Sequence, residues 1–362
     1  MNILYLLFSF TTGGTERLVA DICNEMAKRE HTVHLFVVND LYDQSMLNAL
    51  SAEVRVYLHN RPVGGGGKIN TLLAVARYIT ENKIDVVHCN SFSAPELLLL
   101  KPLCFPRVKI LHTIHGLGQY ATLGRIKCIL RNLLCHRIVA ISECVRRDIV
   151  KHGADSRKVT TVYNAVDLKR FSPRQRIGDG VIRIGNVARI APEIKGQDIL
   201  IQAMKQLHTQ YPNLQCCFAG EPDSAHRQAF EEMKSRVQEW GLGDCVHFLG
   251  NIEDVPSFLE TVDIFVLPSR YEGFGISLVE AMAMGIPCVA SRLDGPAEVL
   301  GDGTYGTLFT PGDSQDLAQK LDQIIAQLPA YRDKAAETVS YVQKMYDIVG
   351  MCDRLEKIMG GI

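Results

Sequence analysis

The chain has 362 residues, 47% apolar and 22% charged; that is too long for one ordinary core, enough for two, and unlike a disordered or fibrous chain. Its eleven cysteines are scattered with no C-x-x-C pair, so they read as reduced, buried thiols of a cytosolic protein rather than a disulfide frame or a zinc site. The net charge of −1 hides an imbalance of +8 in residues 1–170 and −9 in residues 171–362, which points to an anionic partner for the first half or to plain compositional drift.

No apolar run reaches the roughly 18 residues that a membrane span needs. The opening MNILYLLFSF lacks a basic leader and a small-residue cleavage site, and reads as a first strand. Further short apolar runs follow at 33–38, 86–89, 108–114 and 138–142, with helical patterns at 16–30 and 69–82. Their hydrophobicity is continuous rather than alternating, as in parallel strands covered on both faces. Gly64–Gly67 reads as a loop tip. The stretch SPRQRIGDG at 172–180 is rich in Pro, Gly and charge and suits a linker. The pattern then restarts, with strand-like runs at 182–188, 214–220, 246–250, 263–269 and 288–291. Residues 341–359 read as a terminal helix. The expectation is α/β: two doubly wound, Rossmann-like domains facing across a cleft. Residues 1–170 form the first domain, 171–181 the linker, 182–340 the second domain, and 341–362 a helix returning to the first.

In open parallel sheets ligands sit beyond the C-terminal strand ends. Gly13, Gly14 and Glu16 follow the first strand, and His115 follows the run at 108–114. Arg189 and Lys195-Gly196 follow the run at 182–188; two cations so placed can clamp a diphosphate. Glu272-Gly273-Phe274-Gly275 follows the run at 263–269 and opens a helix, whose free amides suit an anion or a polyhydroxylated group. Glu280 lies in that helix among Ile276, Leu278, Val279, Ala281, Met282 and Ala283, so the helix reads as buried all round. A carboxylate there needs a partner, either the two hydroxyls of a ribose or a distant arginine. Taken singly, each residue has a plainer reading: a tight turn, a structural histidine, a surface charge, a helix-start carboxylate.

Together these residues resemble the retaining nucleotide-sugar glycosyltransferases of family 4, which have the GT-B fold. The likeness is carried by Gly13-Gly14-Thr15-Glu16-Arg17, His115, Ser142, Asn164-Ala165-Val166-Asp167, Arg189 with Lys195-Gly196, and E-G-F-G with the second glutamate at Glu280. Two positions depart from the family pattern: Ala165 where Gly is common, and Gly116 where Asp is common.

The resemblance implies roles. Arg189 and Lys195 hold the donor diphosphate and stabilise the leaving group. Glu280 binds the ribose. Glu272 and the amides of Phe274 and Gly275 hold the donor sugar, and Gly250-Asn251 lies by the base. Gly13, Gly14 and Glu16 approach the diphosphate and sugar, His115 touches the transferred sugar, and Asn164 completes the substrate-binding set. The configuration at the anomeric carbon is expected to be kept by front-face attack. The chain has no Asp-x-Asp triplet, and no metal or other cofactor is expected. The expected donor is a UDP-sugar, and the acceptor a lipid-linked or surface-polysaccharide glycan of the lipopolysaccharide or capsule type. The expected setting is the bacterial cytoplasm or the inner face of its membrane, with no nucleic-acid partner. A sugar-nucleotide epimerase would need acid/base carboxylates around the sugar, a phosphorylase a pyridoxal phosphate lysine. A sugar-binding module would not need the two cations.

Residues 123–137, LGRIKCILRNLLCHR, form an amphipathic helix pattern. Ile126, Ile129, Leu130, Leu133 and Leu134 share one face, flanked by Arg125, Lys127, Arg131 and Arg137. It reads either as a helix packed on the sheet with solvated charges, or as a basic flank resting on an anionic leaflet.

Overall fold

The computed structural model describes residues 1–173 and 179–361. The chain divides into two compact units: Met1–Val166 with Tyr346–Ile362, and Asp167–Met345. The first crossing thus lies a few residues before the expected linker, part of which (174–178) falls outside the described residues.

Unit 1 is built on seven strands: β1 (Asn2–Leu7), β2 (Thr32–Asn39), β3 (Arg55–Arg61), β4 (Val86–Cys89), β5 (Lys109–Ile114), β6 (Arg137–Ala140) and β7 (Val159–Thr161). They lie in the order β3-β2-β1-β4-β5-β6-β7, and every pairing is parallel. Unit 2 holds β8 (Ile182–Val187), β9 (Leu214–Ala219), β10 (Val246–Phe248), β11 (Ile264–Leu267), β12 (Cys288–Ser291) and β13 (Thr307–Phe309). Their order is β10-β9-β8-β11-β12-β13, again all parallel. Both units are Rossmann-like. The strand order reverses between β1 and β4 in unit 1 and between β8 and β11 in unit 2.

The central strands are apolar on both faces because helices cover both: Ile3, Leu4, Tyr5 and Leu6 are wholly buried, as are Ile264, Phe265 and Val266. Three strands escaped the sequence reading, and all three are edges. In β3, Arg55, Val56 and Tyr57 stand exposed, while β7 and β13 are three residues each. An edge strand needs no continuous apolar run, so that signal is missing there.

Two helical expectations are corrected. The stretch 341–359 is not one helix. Leu328–Met345 ends there, and Ile348–Gly360 begins after a break at Tyr346-Asp347. At the break the Val166 amide donates to the Tyr346 carbonyl (2.9 Å) and the Ile348 amide to the Val166 carbonyl (3.1 Å), so the returning chain pairs with the departing one. Arg29 then fixes the last helix, donating to Asp353 at 2.6 Å and to the Val349 carbonyl at 2.9 Å.

The helix Arg125–Leu134 does not bury its apolar face. Ile126, Ile129 and Leu133 are 75%, 59% and 74% exposed. The residues it turns inward are Cys128 and Arg131, the latter with its guanidinium 4.2 Å from the Phe92 ring centre.

Candidate functional site

In unit 2 the expected residues gather at the reversal of strand order. Arg189 leaves β8. A short helix, Pro192–Lys195, follows, and Gly196 ends it with φ +67°. A Cβ on Gly196 would fall 1.9 Å from the Pro268 carbonyl oxygen, so only glycine lets Lys195 come this close to the end of β11. From β11, the Arg270 amide donates to the Ile194 carbonyl at 2.8 Å, and its guanidinium grips Asp198 with two bonds of 2.6 and 2.8 Å. The loops after β8 and β11 are thereby sewn together. Lys195 Nζ donates to Glu272 Oε2 at 2.8 Å, joining one expected residue from each loop.

Arg189 is placed by a residue the sequence reading missed. Gln197 is buried, and its Nε2 donates to the Arg189 carbonyl at 2.9 Å. The Arg189 guanidinium is half exposed and donates to Asp223 at 2.8 Å. Asp223 also receives His226 Nδ1 at 2.5 Å, which holds its carboxyl below the usual range, with the Arg189 charge acting in the same direction. The position of Asp223 just past β9 was the available clue.

Beyond β11, Gly275 has φ +98° and opens the helix Ile276–Ala283. Phe274 is buried, so its ring belongs to the core. Gly295 lies against this turn: a Cβ there would meet the Gly273 carbonyl carbon at 2.6 Å. The helix is not buried all round. Leu278, Val279, Ala281, Met282 and Ala283 face inward, while Ile276, Ser277 and Glu280 remain partly open. Glu280 is thus half-buried on the open side. Gly250 follows β10 with φ +69°, and its carbonyl accepts from the Gly220 amide at 2.7 Å; Asn251 beside it is exposed.

In unit 1 the same logic holds around β1, β4 and β5. Gly13 caps the helix Gly14–Ala27 in an extended conformation. Glu16 folds back over it, since a Cβ on Gly13 would sit 2.6 Å from Glu16 Oε2. Burial pushes the Glu16 pKa up, and the Asp43 charge adds to it against the pull of its own backbone amide.

His115 follows β5. Its Nε2 lies 3.3 Å from Asn90 Oδ1, and Asn90 donates through Nδ2 to the His88 carbonyl at 3.2 Å. That second bond fixes the amide's orientation, so the oxygen faces His115 and accepts from Nε2–H. The remaining nitrogen, Nδ1, is then an acceptor. It is buried and has no hydrogen-bond partner among the described residues. Burial lowers the His115 pKa to about 4, so the ring is neutral at pH 7. A neutral ring with a bare acceptor suits a hydroxyl of a substrate. Asn90 sits just beyond β4, a strand end the sequence reading passed over. Asn164 is 2% exposed, and its Oδ1 lacks a partner among the described residues.

Among the described residues no three His, Cys, Asp or Glu side chains come together as metal ligands, and no helix is long and apolar enough to cross a membrane.

Residues 12–170 match Glycosyltransferase Family 4, and residues 167–341 match Glycosyl transferases group 1. The chain is similar to the phosphatidyl-myo-inositol mannosyltransferase of Mycolicibacterium smegmatis, 32% identical over 281 residues, 73% of this chain and 69% of that protein. It is also similar to a lipopolysaccharide core biosynthesis mannosyltransferase of Rhizobium leguminosarum, 29% identical over 175 residues, 46% of this chain and 49% of that one. The chain spans about half to two thirds of the length of most curated relatives it matches. Among solved structures, Anabaena HepE in complex with UDP and glucose superposes with a TM-score of 0.86 at 22% identity, over 100% of both chains. At that identity the likeness concerns the fold.

Proposed function

The chain belongs to the family 4, group 1 glycosyltransferases of GT-B fold, and from that premise we propose that it moves a hexosyl group from a nucleotide-sugar donor to a glycan or lipid-linked acceptor, keeping the anomeric configuration. The observation that carries this reading is the pairing of Lys195 with Glu272 between the loops after β8 and β11, with Arg189 just past β8, where the strand order of unit 2 reverses. Two cations and an adjacent carboxylate at a reversal point are what a sugar diphosphate needs: positive charge for the phosphates, an acceptor for the hydroxyls.

Unit 2 takes the donor. Arg189 and Lys195 hold the diphosphate and stabilise the charge that develops as the glycosidic bond breaks, with no metal or other cofactor. Glu280, on the open side of its helix, accepts from the ribose hydroxyls. Glu272 and the amides of Phe274 and Gly275 hold the sugar, and Gly250-Asn251 the base. Unit 1 takes the acceptor and also meets the donor: Gly13, Gly14 and Glu16 approach the diphosphate and sugar, Asn164 completes the substrate-binding set, and the bare Nδ1 of His115 accepts from a hydroxyl of the transferred sugar. In a front-face mechanism the departing phosphate takes the acceptor proton. The shortage of an obvious pair of catalytic carboxylates supports that route.

The relatives' names guide the finer reading. A mannosyltransferase of phosphatidyl-myo-inositol and one of lipopolysaccharide core biosynthesis both support a surface-glycolipid acceptor at the inner face of a bacterial membrane. A solved neighbour with UDP supports a UDP-sugar. The test is a panel of UDP-, GDP- and ADP-sugars measured for binding, then for nucleotide release with and without acceptor, with proton NMR of the product's anomeric signal. An epimerase converts donor without acceptor, and a binding module releases no nucleotide. Either result would end the reading, as would an inverted product for retention.

A further inference from the structure

Asn90, the first residue past β4, is held from every side. It is 4% exposed. Its amide donates to the Leu6 carbonyl of β1 at 3.1 Å, and Ser91 beside it receives the Phe8 amide on Oγ at 3.0 Å. The end of β1 thus fixes the Asn90 backbone. The side chain is fixed as well: Nδ2 donates to the His88 carbonyl at 3.2 Å, and Oδ1 lies 3.3 Å from His115 Nε2. Turning the amide over would set Oδ1 against the His88 carbonyl oxygen, two acceptors face to face, so one orientation is held. His88 is itself buried, with Nε2 tied to Thr113 Oγ1 at 2.7 Å, and cannot swing away.

That orientation decides what His115 can recognise. An oxygen at Nε2 calls for a proton there, and a neutral ring then carries none on Nδ1. Nδ1 is buried without a hydrogen-bond partner among the described residues. A second proton would create an N–H with nothing to receive it and a buried charge with no counter-charge. The titratable neighbours offer no relief. His88 on β4 and His112 on β5 are buried and kept neutral by that burial, and a proton on either would repel one on His115. Nδ1 is therefore an acceptor only, and its partner in a complex must bring the proton.

A hydroxyl brings one. A carboxylate at neutral pH, an ether or a fluorine meets the nitrogen lone pair with lone pairs of its own, and a bare methylene leaves the nitrogen buried and unpaired. A site built to receive one hydrogen bond rejects the analogue that lacks it far more strongly than an apolar pocket rejects a misfit.

We propose that Asn90 is the positioning residue that holds His115 as an obligate acceptor, and that this pair makes one hydrogen-bond-donating group of the transferred sugar a condition of donor binding. The proposal rests on the reading of His115 as a contact of that sugar.

Two measurements test it. Nitrogen-15 NMR of histidine-labelled protein reads the tautomer without any substrate, with His115→Gln locating the ring's signals. The wild type is expected to show Nε2–H and a bare Nδ1 from pH 8 down to about 5. Asn90→Leu removes the oxygen at Nε2, and Nδ1–H should become populated. Asn90→Asp keeps the oxygen but charges it, so the second proton should bind at a pH higher by about one unit or more. The second measurement is the affinity for the single deoxyfluoro derivatives of UDP-glucose and GDP-mannose, since fluorine keeps the hydroxyl's size and loses its proton. In the wild type one position should weaken binding by about tenfold or more relative to the parent sugar. In Asn90→Leu, or in Asn90→Asp where the leucine variant does not fold, that position alone should lose most of its penalty, and affinity for free UDP or GDP should stay as in the wild type. A wild-type ring with its proton on Nδ1 overturns the proposal whatever the donor. Equal binding of every derivative by a protein that binds the parent also overturns it. So does a variant that weakens all derivatives by one common factor, the mark of a purely structural side chain. A protein that binds no nucleotide-sugar at all contradicts the donor reading instead, and the tautomer then decides the role of Asn90 alone.

Discussion

Replacing Lys195 with methionine should separate a structural role from a chemical one. In this structure Lys195 Nζ donates to Glu272 at 2.8 Å, and the two side chains are 24% and 15% exposed. Removing the cation leaves a mostly covered carboxylate without its partner. Breaking a fully buried pair costs about 3–5 kcal/mol; both members here keep some water, so a loss of about 1–2 kcal/mol of stability is expected. The chemical cost is separate. A fixed cation facing the charge of a departing diphosphate contributes on the order of 3 kcal/mol, roughly a hundredfold in turnover. The double variant Lys195→Met/Glu272→Gln removes the stranded charge along with the cation. It should recover most of the stability and none of the turnover. Urea denaturation gives the first quantity and nucleotide release with a saturating donor gives the second. Turnover within a few-fold of wild type in a folded Lys195→Met protein would refute the assignment. Recovery of turnover in the double variant would show that the single variant had merely been unstable.

Four other perturbations have defined outcomes. Arg189→Ala should lower turnover about a hundredfold with little change in melting temperature, because the side chain is half exposed; a large drop in melting temperature would make Arg189 a structural residue. Glu280→Gln should weaken binding of free nucleotide by roughly tenfold, since a hydrogen bond to a charged acceptor is worth about 1.5–3 kcal/mol; calorimetric titration with UDP and GDP decides it, and unchanged affinity removes Glu280 from the ribose. Gly196→Ala should both destabilise the fold and depress turnover, because its Cβ would overlap the Pro268 carbonyl; a stable, fully active variant would show that the Lys195 loop does not need that approach. Burial lowers the pKa of His115 to about 4 and, with the His115 charge adding, that of His88 to about 3. Since the unfolded chain takes these protons near pH 6.5, their contribution is present above that pH and is lost as pH falls towards 4, at up to about 1.4 kcal/mol per pH unit for each ring. Urea midpoints from pH 7.5 to 4.5 check this, and a flat profile contradicts it.

The fold was legible where burial writes a continuous apolar run and faint where it does not. β1, β4 and β11 are covered on both faces and announce themselves in NILYLL, VVHC and IFVL. β3 carries its arginines and a half-exposed tyrosine at an edge, where one face and one rim meet water. The break at Tyr346-Asp347 was invisible because it depends on Val166, about 180 residues away in sequence. The candidate residues were placed for the same reason the sheets were: they were sought just past strands, and strands could be found. What stayed hidden were the partners that aim them. Gln197 behind Arg189, Asp223 in front of it and Asn90 beside His115 do their work through contacts between loops, and no local pattern marks such contacts. The helix Arg125–Leu134 shows the limit from the other side. Its amphipathic period was plain, yet periodicity does not say which face is turned in; Arg131, stacked on Phe92, settles it.

Both expected phosphate ligands are already matched to carboxylates, Arg189 to Asp223 and Lys195 to Glu272, each at 2.8 Å. This arrangement has an energetic consequence for donor binding. An isolated cation in a partly covered site would cost stability; a paired one is held in a narrow set of rotamers. A diphosphate arriving there exchanges one anionic partner for another, so its affinity is the difference between two charged contacts and not the whole of either. The exchange differs at the two sites. Asp223 keeps His226 and the turn amides of Ala225 and His226 when Arg189 departs, so it is left satisfied. Among the described residues Glu272 has no side-chain donor other than Lys195, and in the proposed reaction it gains the donor sugar's hydroxyls instead. Removal of the Asp223 carboxylate should therefore tighten diphosphate binding by freeing Arg189, whereas removal of the Glu272 carboxylate should free Lys195 and yet lose the sugar. The affinities of a nucleoside diphosphate and of its sugar conjugate, compared in Asp223→Asn and Glu272→Gln, separate the two cases: parallel changes in both variants would mean that the carboxylates serve only as counter-ions.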